Sequence, residues 1–258
     1  MPYRPTPPLF PTHAGRVAVV TGAAQGLGQT FSVRLAERGA IVVGVDCNDL
    51  SATADLVTPK SSFLGIKADV SSEMDTRTLA NKVRSTFGRC DILINNAAIY
   101  DPESWDDLDF QRWRSIHSVN LDGPFLMTKA LVPVMAENKY GRIVNLVSST
   151  INMPMPIYIA YRSAKMGLVG LTRALASLGD RGITANCVSP TLTRTPGSLQ
   201  ANAYNEILFN QIRDAQSIKL DAVPDDIAYT VMFLTSEESY WITGQAIPVD
   251  GGMQFGMP

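Results

Sequence analysis

The stretch RVAVVTGAAQGLG, Arg16–Gly28, carries the first decision about fold. Its first half is a short run of β-branched residues, and a run apolar at successive positions fits a strand buried on both faces. Its second half is a glycine turn that opens a helical stretch reaching Arg38. Gly22 allows a tight turn at the strand end. Gly26 and Gly28 let backbone approach a ligand and let the helix pack on the sheet. The N–H groups at such a helix start favour an anion, here a pyrophosphate. The spacing is G-x-x-x-G-x-G, without the Gly-Lys of a phosphate-binding loop, which disfavours nucleotide triphosphate hydrolysis.

Working outward, the pattern repeats. Apolar runs recur at 40–45, 61–66, 91–96, 141–148, 182–189 and 245–250. Helical stretches are expected over 72–87 and 106–137, from about Ile157 onward, and near 224–235. Strand–helix alternation with near-continuous Val, Ile and Leu strands implies an α/β chain. The expected form is a single-domain, Rossmann-type, doubly wound parallel sheet with helices on both faces. No composition break divides 15–258. Residues 1–14 read as a Pro-rich N-terminal arm, with five prolines in the first eleven positions and no signal-peptide core. The variable segment at about 191–223 reads as a substrate lid.

Composition limits the function classes. The 258 residues are 45% hydrophobic and 18% charged, which suits one domain with a substantial core. The net charge is −2 and no basic run occurs, so no nucleic-acid partner is expected. No apolar run approaches the roughly 18 residues of a membrane span, so no membrane partner is expected. Cys47, Cys90 and Cys187 are scattered, and His13 and His117 stand far apart. That argues against a metal site and for a reducing, cytoplasmic setting.

Asp46 closes the second run, eighteen residues after Gly28. An acidic residue there accepts hydrogen bonds from a ribose 2′-OH and repels a 2′-phosphate. Gln25, not Arg or Lys, precedes Gly26. The reading is NAD rather than NADP.

The stretch YIAYRSAK, Tyr158–Lys165, raises a choice. On a helix starting near Ile157, Tyr161 and Lys165 stand at i, i+4, and Tyr158 and Lys165 at i, i+7. Both pairs share one face. Geometry alone leaves both tyrosines open.

With these pieces in place, the chain resembles the short-chain dehydrogenase/reductase family from about Gly15 to Gly252. NNAA at 95–98 resembles the family's N-N-A-G, and Asp69-Val70 its adenine-contacting pair. Asn120 stands where the family keeps a helix asparagine. Ser148 precedes Tyr161-x-x-x-Lys165 by thirteen residues. VSPTLTRT at 188–195 resembles the segment that meets nicotinamide, and DGG at 250–252 the family's ending. Ala98 and Thr191 replace common glycines, and Thr191 could alter the loop at nicotinamide. Tyr158 with Lys165 has the spacing of enoyl reductases in the same superfamily. Those proteins depart from the glycine turn that this chain keeps, so the resemblance selects Tyr161.

The resemblance implies catalytic roles for Asn120, Ser148, Tyr161 and Lys165. Tyr161 would be the general acid/base. Bringing a free phenol, with pKa near ~10, into the working range takes roughly 3–4 kcal/mol. An ammonium about 4 Å away at an effective dielectric near 20 supplies about that much, which points to Lys165 with the positive nicotinamide ring of NAD⁺ nearby. Ser148 would steady the developing alkoxide. Lys165 would also hold the nicotinamide ribose, and Asn120 would shape backbone and hold water. The implied NAD contacts are Gly22, Gln25, Gly26, Leu27, Gly28, Asp46, Asp69, Val70, Asn96, Ala97, Tyr161, Lys165, Pro190, Thr193 and Thr195. The implied substrate contacts are Ser148, Met153, Tyr158 and Tyr161.

Leu199, Tyr204, Ile207, Leu208, Phe209 and Ile212 in the lid, with Met153, Met155 and Ile157, suggest an apolar pocket wall. The expected partner is therefore a neutral, apolar or aromatic secondary alcohol and its ketone. Within the family the chain is similar to bacterial NAD-dependent 1-phenylethanol dehydrogenases and pyridoxal 4-dehydrogenase-like members. Sugar, polyol or pyridoxine-type alcohol oxidation, 3-oxoacyl reduction and non-catalytic NAD sensing are the alternatives. The family's habit implies a homotetramer.

Overall fold

The computed structural model describes residues 12–200 and 206–254. Seven parallel strands form one sheet in the order β3-β2-β1-β4-β5-β6-β7. They are β1 (Val17–Thr21), β2 (Ile41–Asp46), β3 (Phe63–Lys67), β4 (Ile92–Asn95), β5 (Gly141–Leu146), β6 (Ile183–Pro190) and β7 (Ala246–Val249). Each expected run became a strand. Every residue of β1, β4, β5 and β6 is buried, as unbroken apolar runs require.

The helices are α1 (Gly26–Glu37), α2 (Ser51–Leu56), α3 (Glu73–Phe87), α4 (Phe110–His117), α5 (Gly123–Glu137), α6 (Ile159–Leu175), α7 (Pro196–Gln200), α8 (Glu206–Ala215) and α9 (Pro224–Thr235). They cover the sheet from both sides. Phe31 and Leu35 of α1 pack with Ile227, Val231 and Met232 of α9 over one face. Leu79 and Val83 of α3 pack with Met127, Leu131 and Met135 of α5 over the other. The strand order reverses between β1 and β4, and in open α/β sheets a crevice forms there at the carboxyl ends of the strands.

Two helix expectations are corrected. The stretch expected to be helical over 106–137 starts at Phe110, capped by the Asp109 side chain, and is broken by a π-turn at Ser118–Asp122. The helix expected from Ile157 starts at Ile159, because Tyr158 takes a left-handed backbone with φ +63°. The expected arm lies outside the described residues up to position 11. From there the chain joins the domain: His13 is buried and its Nε2 lies 2.9 Å from Thr235 Oγ1 at the end of α9.

Candidate active site

The glycine turn after β1 is held by close approach. Gly22 has φ +66°, and a Cβ there would lie 2.9 Å from Ala97 Cα. A Cβ on Gly28 would lie 2.1 Å from the Gly22 carbonyl oxygen, so Gly28 folds the turn on itself and does not face the cleft. Gln25 caps α1 with extended backbone and no side-chain bond to the first turn, so those N–H groups suit an anion. Asn96 braces the turn, its Nδ2 donating to the carbonyls of Thr21 at 2.9 Å and Gly22 at 3.2 Å.

A cleft of about 420 Å³ runs over this turn. Its walls include Gly22, Gln25, Gly26, Leu27, Asp46, Asp69, Val70, Asn96, Ala97, Tyr161, Lys165, Pro190 and Thr195. Asp46 stands at its β2 edge. One carboxylate oxygen accepts from Ala24 N at 3.0 Å, the other from Asn48 N at 2.9 Å, so the charge is fixed in place. The Asp69 carboxylate accepts from Ser71 N and Oγ. Thr193 lines the adjoining apolar cavity, and its carbonyl accepts from Ser198 Oγ at 2.7 Å.

That second cavity, about 510 Å³, meets the cleft at Tyr161. Met153, Met155, Ile157 and Tyr158 form one wall, and Ile207, Leu208 and Ile212 of α8 form the facing one. The described residues lining it include no Asp, Glu, Lys, Arg or His. Of the other expected lid residues, Tyr204 lies outside the described residues. Leu199 is exposed, and Phe209 is buried under Arg194, whose guanidinium sits 4.1 Å from the ring centroid. Arg194 also pairs with Asp221 and Glu206, each at 2.8 Å, which ties α8 to the loop after β6. Thr191 is buried with no left-handed backbone, and its N–H donates to Val249 O, so it fits without the glycine.

Tyr161, Lys165 and Ser148 converge where the cavities meet. Tyr161 and Ser148 line the apolar cavity side by side. Lys165, 2% exposed, donates from Nζ to Leu146 O at 2.8 Å, and Nζ lies 5.5 Å from the Tyr161 ring centroid. Burial pushes the phenol up to about 12, against the pull of the Ser148 hydroxyl. Burial pushes the Lys165 ammonium down to about 8. The expected lowering of the phenol by Lys165 is therefore not produced by these protein groups alone. At neutral pH the pair stands as phenol and ammonium, the form that gives a proton to a ketone oxygen.

Tyr158 is not part of the helical face. Left-handed backbone places it before α6, 4% exposed, its ring edge-on to Tyr161 with centroids 6.4 Å apart. Asn120 is set apart from both cavities. It is fully buried in the π-turn, and its Nδ2 donates to Ile99 O at 2.7 Å and Ile116 O at 2.9 Å. Its Oδ1 is buried without a protein partner. Sequence reasoning missed Tyr100, Thr150, Gln211 and Met253, which line the apolar cavity. No local spacing marks them, because each arrives from a different loop or helix.

Known proteins resemble this chain over nearly its whole length. A family model described as Enoyl-(Acyl carrier protein) reductase matches residues 22–254. The chain is 40% identical over 243 residues to the (2S)-[(R)-hydroxy(phenyl)methyl]succinyl-CoA dehydrogenase subunit BbsD of Thauera aromatica, covering 92% of this chain and 96% of that protein. It is 34% identical to the D-threitol dehydrogenase of Mycolicibacterium smegmatis, covering 92% of each. A solved structure from Sinorhizobium meliloti, classed with short-chain alcohol dehydrogenases, superposes with TM-score 0.88 at 33% identity. It covers 93% of this chain and 96% of that one.

Proposed function

The chain belongs to the short-chain dehydrogenase/reductase family, and on that premise we propose an NAD-dependent dehydrogenase that interconverts a neutral, apolar or aromatic secondary alcohol and its ketone. One observation carries the reading: a cleft of about 420 Å³ over the glycine turn, edged by Asp46, and an apolar cavity free of described ionisable side chains other than tyrosine meet at Tyr161. The relative BbsD supports the aromatic case, since its name describes a carbinol bearing a phenyl group. A polyol such as threitol is the second reading, since Ser149, Thr150 and Gln211 on the cavity wall could accept or donate to further hydroxyls.

The residues of the cleft fit a nicotinamide dinucleotide, with the Gly22–Gly28 turn for the pyrophosphate, Asp46 for the adenosine ribose, and Lys165 and Thr195 for the nicotinamide end. When bound, that group accepts or gives the hydride. Tyr161 takes the alcohol proton during oxidation and returns it to the ketone oxygen during reduction. Ser148 donates a hydrogen bond to the same oxygen as charge gathers on it. Lys165, buried beside the Tyr161 ring, would hold the ribose at the nicotinamide end, and with the positive nicotinamide bound would help lower the phenol. The fixed Asp46 carboxylate favours NAD over NADP. Exposed Phe125 on α5 and Met166 on α6 support assembly into a homotetramer, and free Cys47, Cys90 and Cys187 support a cytoplasmic setting.

The test is NADH formation with a panel of aryl, cyclic and polyol alcohols, run beside Tyr161→Phe and Tyr158→Phe. Tyr161→Phe should lose activity about a hundredfold or more and keep dinucleotide affinity, and Tyr158→Phe should stay active. Loss confined to Tyr158→Phe would move the chemistry to the enoyl-reductase spacing. Dinucleotide binding without turnover in either direction would favour an NAD sensor.

A further inference from the structure

Arg162 follows the reacting tyrosine, yet it serves neither cavity directly. It turns back along the segment that joins Ser148 to α6. Its Nε donates to Thr150 O at 2.9 Å, its Nη1 to Met155 O at 2.8 Å, and its Nη2 to Met153 O. All three acceptors are backbone carbonyls of one loop, whose Thr150, Met153 and Met155 side chains line the apolar cavity. A guanidinium presents its donors in a fixed plane, so three carbonyls on one guanidinium fix the shape of that loop.

The loop also carries a second hydroxyl. Thr150 Oγ1 donates to Ser148 Oγ at 2.9 Å, and Thr150 N donates to the same atom at 3.3 Å. Both contacts from Thr150 end on Ser148 Oγ as acceptor, so the Ser148 proton points away from Thr150 and toward the Tyr161 side of the cavity. That is the polarity needed against an oxygen gathering negative charge.

We infer that Arg162 is a positioning residue: by holding the Thr150, Met153 and Met155 carbonyls it sets the apolar wall against Tyr161 and, through Thr150, orients Ser148 as a donor toward the reacting oxygen. The role rests on the proposed alcohol–ketone chemistry, but the loop constraint is measurable without it.

The experiment compares full-length wild type, Arg162→Met, Arg162→Lys and Thr150→Val. It measures amide hydrogen exchange, dinucleotide affinity and steady-state kinetics. In Arg162→Met, amides of 150–157 should exchange about tenfold or more faster, while β1 and β2 keep their rates and the dinucleotide Kd stays within about twofold. The kcat should fall about tenfold or more, since small misplacements of reacting groups are expensive, and KM should rise most for the bulkiest substrates. Arg162→Lys keeps the charge and reaches fewer carbonyls, so it should show the same pattern at smaller amplitude. Thr150→Val should lower kcat and leave exchange unchanged. Unchanged exchange over 150–157 in both Arg162 variants would overturn the inference. So would exchange rising equally across the sheet with loss of dinucleotide affinity, because Arg162 would then be a stability residue only. Absence of turnover by wild type would defeat the alcohol–ketone reading instead, and the exchange result would still decide the loop constraint.

Discussion

At the residue scale, Asp46 and Tyr161 carry the proposed cofactor preference and the proposed chemistry. Asp46 holds its charge at the cleft edge through bonds from Ala24 N and Asn48 N, so it cannot easily swing away from a 2′-phosphate. If Asp46 sets the proposed preference for NAD by repelling a 2′-phosphate, replacing it with Ser should shift the NADP-to-NAD ratio toward NADP by about tenfold or more. Fluorescence titration with NADH and NADPH measures the ratio, and an unchanged ratio would place the discrimination elsewhere. Tyr161 shows how far a single residue was legible. Its i, i+4 relation to Lys165 could be counted along the chain. Its elevated pKa could not, because that comes from burial between two cavities built by distant segments.

At the scale of elements, α8, which forms one wall of the apolar cavity, is held by charge as well as by apolar contact. Arg194 bridges Asp221 and Glu206 and covers Phe209. Glu206 is 70% exposed at its side chain, so each pair contributes little alone, about 0.2–1 kcal/mol. Arg194→Met should raise the substrate KM about three- to tenfold with little change in kcat, an estimate from that small range. The wild-type KM should also rise with added salt, and that of the variant should not. Kinetics at two ionic strengths test this, and an equal salt response in both proteins would remove the ion pairs from the account. The elements that sequence misjudged share a cause. The π-turn at Ser118–Asp122 and the left-handed Tyr158 are local departures from regular backbone. Neither carries a Gly or Pro that would announce it.

For the whole molecule, His13 couples folding to pH. It is 1% exposed, bonded between Thr12 and Thr235, and burial with nearby Arg38 and Arg16 pushes it down to about 4. Between the unfolded value of 6.5 and about 4, the unfolded chain binds a proton that the folded chain refuses. Stability is therefore full above pH 6.5 and is lost as pH falls toward 4, by up to about 3 kcal/mol in total. His13→Gln should remove that part of the acid sensitivity. Denaturant unfolding at several pH values between 4 and 7 measures it, and parallel curves for the two proteins would rule out His13 as the source.

The order of strands and helices, the doubly wound sheet and the glycine turn after β1 were legible along the chain, because unbroken apolar runs and glycines at a strand end are properties of near neighbours. The choice of Ser148, Tyr161 and Lys165 came from the family resemblance, since spacing alone left two tyrosines open. The tertiary structure alone decided that Asn120 lies outside both cavities, that Tyr158 leaves the helix, and that Thr193 faces the apolar side. It also gathered Tyr100, Thr150, Gln211 and Met253 into one wall and brought Arg162 onto the carbonyls beside them. Such contacts depend on crossovers between distant segments and on which backbone groups burial leaves to be satisfied, and neither is written in local spacing.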